Sequence, residues 1–186
     1  MRAQKLTEPC IEFVFGQVND QLKGELNTFW KQNSKNYQLE LRSFHSRTGK
    51  KSTNMGPTKK TISRQPAAIS RNQSGAIDGI MFVILRELDD SLGLGSHAYF
   101  QRMYVIPESR GYGLTNRLFR VFLQGFDREA EKRDHRAMVL LAENINPALQ
   151  KPSMRRYFAR LGFQMLGGNQ LGSEIWARKL KTRFLF

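Results

Sequence analysis

The sequence predicts one mixed α/β domain of the α+β type, a largely antiparallel sheet with helices packed on it. Three observations predict it. Apolar runs of strand length recur through the chain, separated by turn residues. Runs of helical period are interleaved with them, giving the order β–α–β–β–β–α–β–α–β–β, with helices following strands only after a middle run of three strands. The chain has 186 residues, 40% of them hydrophobic, which is enough to bury a sizeable core. Residues 1–186 therefore read as a single domain, interrupted by a basic loop insertion at about 34–64.

Each element has a local reason. "CIEFVFGQ" sets Ile11, Phe13 and Phe15 on alternate positions and reads as the first strand. "NDQLKGELNTFWKQN" places Leu22, Leu26, Phe29 and Trp30 at helical spacing, with Asn19 or Asp20 to cap the start, and predicts a helix to about residue 33. Asn72 to Gly75 form a hairpin turn between two strands, and the second, Ile77 to Arg86, is nearly all apolar and so central. "HAYFQRMYVI" is a third strand. A helix from Gly113 to about Lys132 puts Leu114, Leu118, Val121 and Phe122 on one face. "AMVLLAEN" is a buried strand. "PSMRRYFARL" is a short helix with Pro152 in its first turn and Gly162 closing it, and "FQMLG" with "SEIWARKL" makes a final hairpin.

Composition narrows the class further. The one cysteine, Cys10, allows no internal disulfide and reads as a buried small hydrophobe in a reducing compartment. The first residues lack the apolar run of a secretory signal, and no stretch reaches the ~18–20 apolar residues of a membrane span. A cytoplasmic protein with no membrane partner is the expectation. The net charge of +14 is the strongest compositional signal. It implies attraction to polyanions and speaks against a polycationic substrate, which needs an acidic pocket. Between Arg42 and Arg64 stand seven basic residues (Arg42, Arg47, Lys50, Lys51, Lys59, Lys60 and Arg64) and no acidic one, which is half of that charge. This segment is expected to be a phosphate-contacting, nucleic-acid-binding arm.

"PESRGYGLTNRLF" joins the third strand to the amphipathic helix. Glycines at a helix N-terminus make an anion site: the first N–H groups have no internal partner, and the absence of side chains lets an anion approach them. Two nucleotide motifs fail on inspection. No Gly-x-x-x-x-Gly-Lys-Ser/Thr string exists, and the third glycine of Gly-x-Gly-x-x-Gly is replaced by Asn116.

"MYVIPESRGYGLTNRLF" resembles the acetyl-coenzyme A motif of the GCN5-related N-acetyltransferases: a hydrophobic strand, Val-x-Pro, then Arg-x-x-Gly-x-Gly/Ala. "MRRYFARLGFQ" resembles their short helix ending in Leu-Gly-Phe, and "EIWARKL" resembles their closing strand. The resemblance runs from about Ile77 to Leu180, in family order. It implies a sheet with two splayed strands and acetyl-CoA as cofactor. The pantetheine would run along the backbone of Met103, Tyr104 and Val105, and the pyrophosphate would sit on Arg110, Gly111, Tyr112, Gly113, Leu114 and Thr115. Thr115 departs from the usual Gly or Ala.

The same resemblance leaves the proton-transfer groups open. The family's proton donor is often a tyrosine five residues before the Phe of Leu-Gly-Phe, and that position is Phe158, which has no hydroxyl; Tyr157 stands one place earlier. One residue turns a helix by about 100°, so the two side chains point differently, and an unshifted helix gives Phe158 the thioester side. Candidate bases are Glu143, Glu87 and His97. The implied activity is acetyl transfer from acetyl-CoA to an amine, carried by a protein, an aminoacyl-tRNA or a small molecule. The alternative is a catalytically weak or inactive CoA-binding module that engages nucleic acid through its basic loop.

Overall fold

A computed structural model describes residues 10–47, 58–169 and 172–181. Its strands are β1 (Cys10–Phe13), β2 (Thr58–Arg71), β3 (Ile77–Leu88), β4 (His97–Val105), β5 (Ala137–Asn144), β6 (Gln164–Gly168) and β7 (Glu174–Lys179). The helices are α1 (Asp20–Arg47), α2 (Tyr112–Arg128) and α3 (Pro152–Arg160). The strands form one sheet in the order β1-β2-β3-β4-β5-β7-β6, and every neighbouring pair is antiparallel except β4–β5. That parallel pair is the one joined through a helix, α2, as parallel neighbours require a crossover.

The sheet is covered on both faces. On one, the apolar stripe of α2 (Leu118, Phe119, Phe122, Phe126) and Phe158 of α3 bury against Met81, Val83, Tyr99, Val105 and Trp176. On the other, Leu22, Leu26 and Phe29 of α1 bury against Ile69, Ile80, Phe82, Ile84 and Tyr104. Asn19 caps α1, its Oδ1 accepting from the N–H of Leu22 at 2.8 Å. Gly125 allows a close approach: a Cβ there would lie 2.2 Å from the ring of Phe13, so β1 rests directly on α2. Gly162, at φ +83°, closes α3 in the left-handed conformation glycine favours.

Three local expectations need correction. The helix expected to stop near residue 33 continues to Arg47, because Trp30 and Tyr37 join Phe82 and Tyr104 in one aromatic cluster (Trp30–Tyr37 5.5 Å, Tyr37–Tyr104 5.3 Å) that holds its second half to the sheet. The expected basic loop at 34–64 is thereby divided: Arg42 and Arg47 lie on α1, Lys59, Lys60 and Arg64 on β2, and Lys50 and Lys51 outside the described residues. Cys10 is exposed rather than buried, since it opens the edge strand β1. No helix among the described residues is long and apolar enough to cross a membrane.

The turn into β5 is fastened by Asp134. Its N–H donates to Tyr99 Oη at 2.8 Å, and its carboxylate accepts from Arg136 Nε and Nη2 at 2.9 and 2.7 Å. The Arg136 guanidinium holds this carboxyl down from 3.8 to about 2. A depressed folded pKa stabilises the protein fully above the unfolded value, and the contribution is lost as pH falls from about 4 toward 2. Asp134→Asn is therefore expected to flatten the acid limb of a stability-versus-pH curve in that window, by up to about 2 kcal/mol in denaturant titrations. An unchanged acid limb would show the ion pair is equally made in the unfolded chain.

Candidate active site: a fork above a glycine-flanked helix start

Strands β4 and β5 part company. Their pairing runs from His97↔Ala137 to Gln101↔Ala142 and then stops, although β4 continues to Val105 and β5 to Asn144. The register on the other side of β4 says which backbone groups face the gap. The Ile106 N–H donates to Asp78 O at 2.9 Å, in phase with Gly79↔Val105 and Ile80↔Tyr104. Arg102 and Tyr104 therefore turn their N–H and C=O toward β3, and Met103 and Val105 turn theirs into the fork.

The start of α2 lies at the end of β4, beyond one turn of 3₁₀-helix at Pro107–Ser109. Gly111 is the N-cap, extended at φ −165°, with no side chain capping the helix. The first intrahelical bond is Thr115 N–H to Gly111 O at 3.4 Å, which leaves the N–H groups of Tyr112, Gly113 and Leu114 without a helical acceptor. A Cβ on Gly111 or Gly113 would meet nothing within 4 Å. These donors thus open onto free space, with the helix macrodipole behind them. This is the geometry of an anion cradle, and it fits a pyrophosphate.

The neighbouring side chains sort themselves. Arg110 is pinned: Nε donates to Val105 O at 2.9 Å, Nη2 pairs with Glu40 of α1 at 2.5 Å, and the guanidinium stands 5.8 Å from the Tyr104 ring centre. Thr115 Oγ1 donates back to Gly111 O at 3.2 Å, so its hydroxyl supports the turn. Tyr104, expected beside the cofactor, is instead 2% exposed in the α1-side core, and its backbone belongs to the β3 ladder. Of Tyr112 only the backbone is described. Met103, Leu114, Met154 and Tyr157 are partly buried and pack on the α2-side core around Val105, so the fork has an apolar floor.

The two adjacent aromatic residues of α3 take opposite roles from those an unshifted helix implies. Phe158 is 5% exposed and stacks on Trp176 at 5.6 Å, with Phe119 and Phe163 around it. It is core. Tyr157 sends its hydroxyl to α2, donating to Asn116 Oδ1 at 2.6 Å.

Glu143 stands on β5 just past the last paired residue. Its Oε2 forms an ion pair with Arg102 across the fork, and its Oε1 accepts from Asn169 Nδ2 at 2.8 Å. The other candidate bases do not share this site. Glu87 and His97 are paired at the opposite end of β3 and β4. His97 precedes Arg102 by five residues, about 16 Å of strand, and its Nδ1 lies 2.8 Å from Ser96 Oγ. A strand's residue types do not reveal which of its ends meets the fork, and topology alone separates them. Asn116 escaped notice for the opposite reason: its partner Tyr157 is 41 residues away.

The chain matches no family model and no curated protein sequence. Among solved structures it is similar to yncA, a candidate acetyltransferase from Salmonella typhimurium solved with its cofactor acetyl-CoA, at 14% identity over 96% of this chain and 97% of that one, with a TM-score of 0.51. It is also similar to a GNAT-superfamily phosphinothricin acetyltransferase from Sinorhizobium meliloti in complex with acetyl-CoA (15% identity, 92% and 88% covered, TM-score 0.47). A third is the GNAT-family N-acetyltransferase YhbS from Escherichia coli in complex with CoA (11% identity, 97% and 86% covered, TM-score 0.49). The likeness to yncA shows the fold: a seven-stranded, mostly antiparallel sheet flanked by three helices, as in the GCN5-related N-acetyltransferases.

Proposed function

We propose that this chain is an acetyl-CoA-dependent N-acetyltransferase. The observation that carries the reading is the fork itself: β4 parts from β5 after Gln101, directly above a helix start whose N–H groups face open space. The backbone of Met103 and Val105 would hold an extended, amide-bearing chain as an added strand would. The N–H groups of Gly111 to Leu114 would hold its pyrophosphate. Acetyl-CoA, when bound, supplies a thioester-activated acetyl group.

The protein's own groups then divide the work. An amine must lose a proton before it can attack, and an unperturbed lysine-type amine has a pKa of about 10.4. Glu143, the one candidate carboxylate at the fork, is the base, acting directly or through a water. Arg102 and Asn169 fix its two oxygens, so the carboxylate has a single orientation. The Val105 N–H, directed into the fork, is placed to polarise a carbonyl. Tyr157 is the acid, its Oη held by Asn116 on the cofactor-side helix.

The test is a calorimetric titration with acetyl-CoA, followed by thiol release in the presence of mixed amines. Binding in the micromolar range with amine-dependent thiol release is expected. Absence of any heat on adding acetyl-CoA overturns the reading. Binding without transfer to any amine would leave a CoA-binding module in its place.

A further inference from the structure

Resting on that reading, we infer that the acceptor is an amine carrying its own anionic group, held by an arginine clamp on the α1 face of the sheet. Three guanidinium side chains share this face. Arg64 of β2 lies opposite Ile84, Phe82 and Arg102 are cross-strand partners, and Arg86 follows Phe82 and Ile84 on the same side of β3. The heads lie over two aromatic rings: Arg64 Cζ is 5.3 Å from the Phe82 centroid and Arg86 Cζ 5.5 Å from the Phe100 centroid. Arg102 completes the set through its pair with Glu143.

The charges do not balance. The carboxylate set against the cluster is Glu143, and its partner is Arg102. Arg64 and Arg102 act repulsively on Arg86 and lower its pKa, after the larger effect of burial. Both also act on the Tyr37 hydroxyl of α1 above them. Bringing like charges together against a half-buried surface is unfavourable unless an anion offsets them. A guanidinium stacked on an aromatic ring is also pre-oriented for a planar, bidentate anion such as carboxylate or phosphate.

Position ties the clamp to the chemistry. Glu143 is both the proposed base and the neighbour of Arg102, and β3 is two strands from β5, about 10 Å across. An anion on Arg86 and Arg64 thus leaves the amine of a short molecule within reach of Glu143. A groove of about 920 Å³ between α1 and β2, lined by Trp30, Tyr37, Arg64, Gln65 and Phe82, gives access to the same place.

The experiment compares matched probes with the full chain: O-phosphoethanolamine, ethanolamine and a short single-stranded oligonucleotide, each titrated calorimetrically after acetyl-CoA. O-Phosphoethanolamine is expected to bind at least tenfold more tightly than ethanolamine. Arg86→Gln is expected to erase that preference. Arg64→Gln, at an exposed position with little bearing on folding, is expected to reduce it by severalfold. Acetyl-CoA affinity should stay unchanged in both. If acetyl-CoA binds and the two small amines are held equally, or neither is held, the clamp is overturned while the acetyltransferase reading stands. If acetyl-CoA does not bind, that reading falls. Tight binding of the oligonucleotide with no preference between the small amines overturns the clamp in favour of a polyanion surface.

Discussion

Tyr157→Phe is expected to lower acetyl transfer by about 10²- to 10⁴-fold, the usual effect of losing a positioned general acid or base. The substitution removes one oxygen and keeps the ring, which packs beside Phe119 at 6.5 Å between centroids. The fold and acetyl-CoA affinity should therefore survive, and the loss should appear in kcat rather than KM. Phe158 serves as the control. It lies in the Phe119–Phe163–Trp176 stack, so Phe158→Ala is expected to destabilise the protein by about 3–5 kcal/mol. Steady-state kinetics and thermal melts of both variants separate the two roles. A change in turnover below threefold for Tyr157→Phe would remove the hydroxyl from the mechanism.

Gly113→Val is expected to weaken acetyl-CoA binding by roughly ten- to a few hundredfold, the equivalent of losing one or two hydrogen bonds to a charged group at ~1.5–3 kcal/mol each. The free protein should tolerate the change, because a Cβ at residue 113 meets nothing within 4 Å. In the complex, the same β-branched side chain would stand where an anion must approach the N–H groups of α2. Calorimetry gives the affinity, and a thermal melt without ligand shows that the fold is intact. Wild-type affinity in Gly113→Val would mean that the helix start does not hold the cofactor.

What the sequence disclosed follows the range of the interactions involved. Strand alternation, the apolar stripe of α2, the glycine-flanked start of that helix and the Leu161-Gly162-Phe163 end of α3 are written in short windows, and all of them stand in the structure where the pattern puts them. The Asn72–Gly75 turn is equally local, with Gly75 N–H donating to Asn72 O at 3.0 Å. The second half of α1 was hidden because Ser34 to Gln38 is polar, and only contact of Tyr37 with Phe82 and Tyr104 keeps it helical. The start of β2 was hidden likewise, since Thr58 and Thr61 are strand by virtue of pairing with Leu88 and Arg86. Side-chain assignments at the site depended on register. Periodicity shows that Phe158 and Tyr157 diverge, but only packing against Trp176 and Asn116 decides which one is interior. The basic stretch was legible as charge and not as shape, because charge counts carry no information about backbone pairing.

The fork also divides the amides of one strand into two classes. Along the last part of β4, Arg102 and Tyr104 offer their hydrogens to β3, whereas Met103 and Val105 offer theirs to the gap. In the free protein the first pair exchanges with solvent deuterium only when the ladder opens, and the second pair exchanges from the closed native state. A sheet is ordinarily a two-sided network in which every interior strand is locked along both edges. Here an interior strand behaves as an edge strand for its final turn of pleat, and the exposed row of donors and acceptors that such an edge presents is the kind that aggregation exploits. The partner strand β5 on one side and the helices α2 and α3 below keep that row inside a cleft too narrow for another sheet, so the chain retains an adhesive edge without offering it to its own copies.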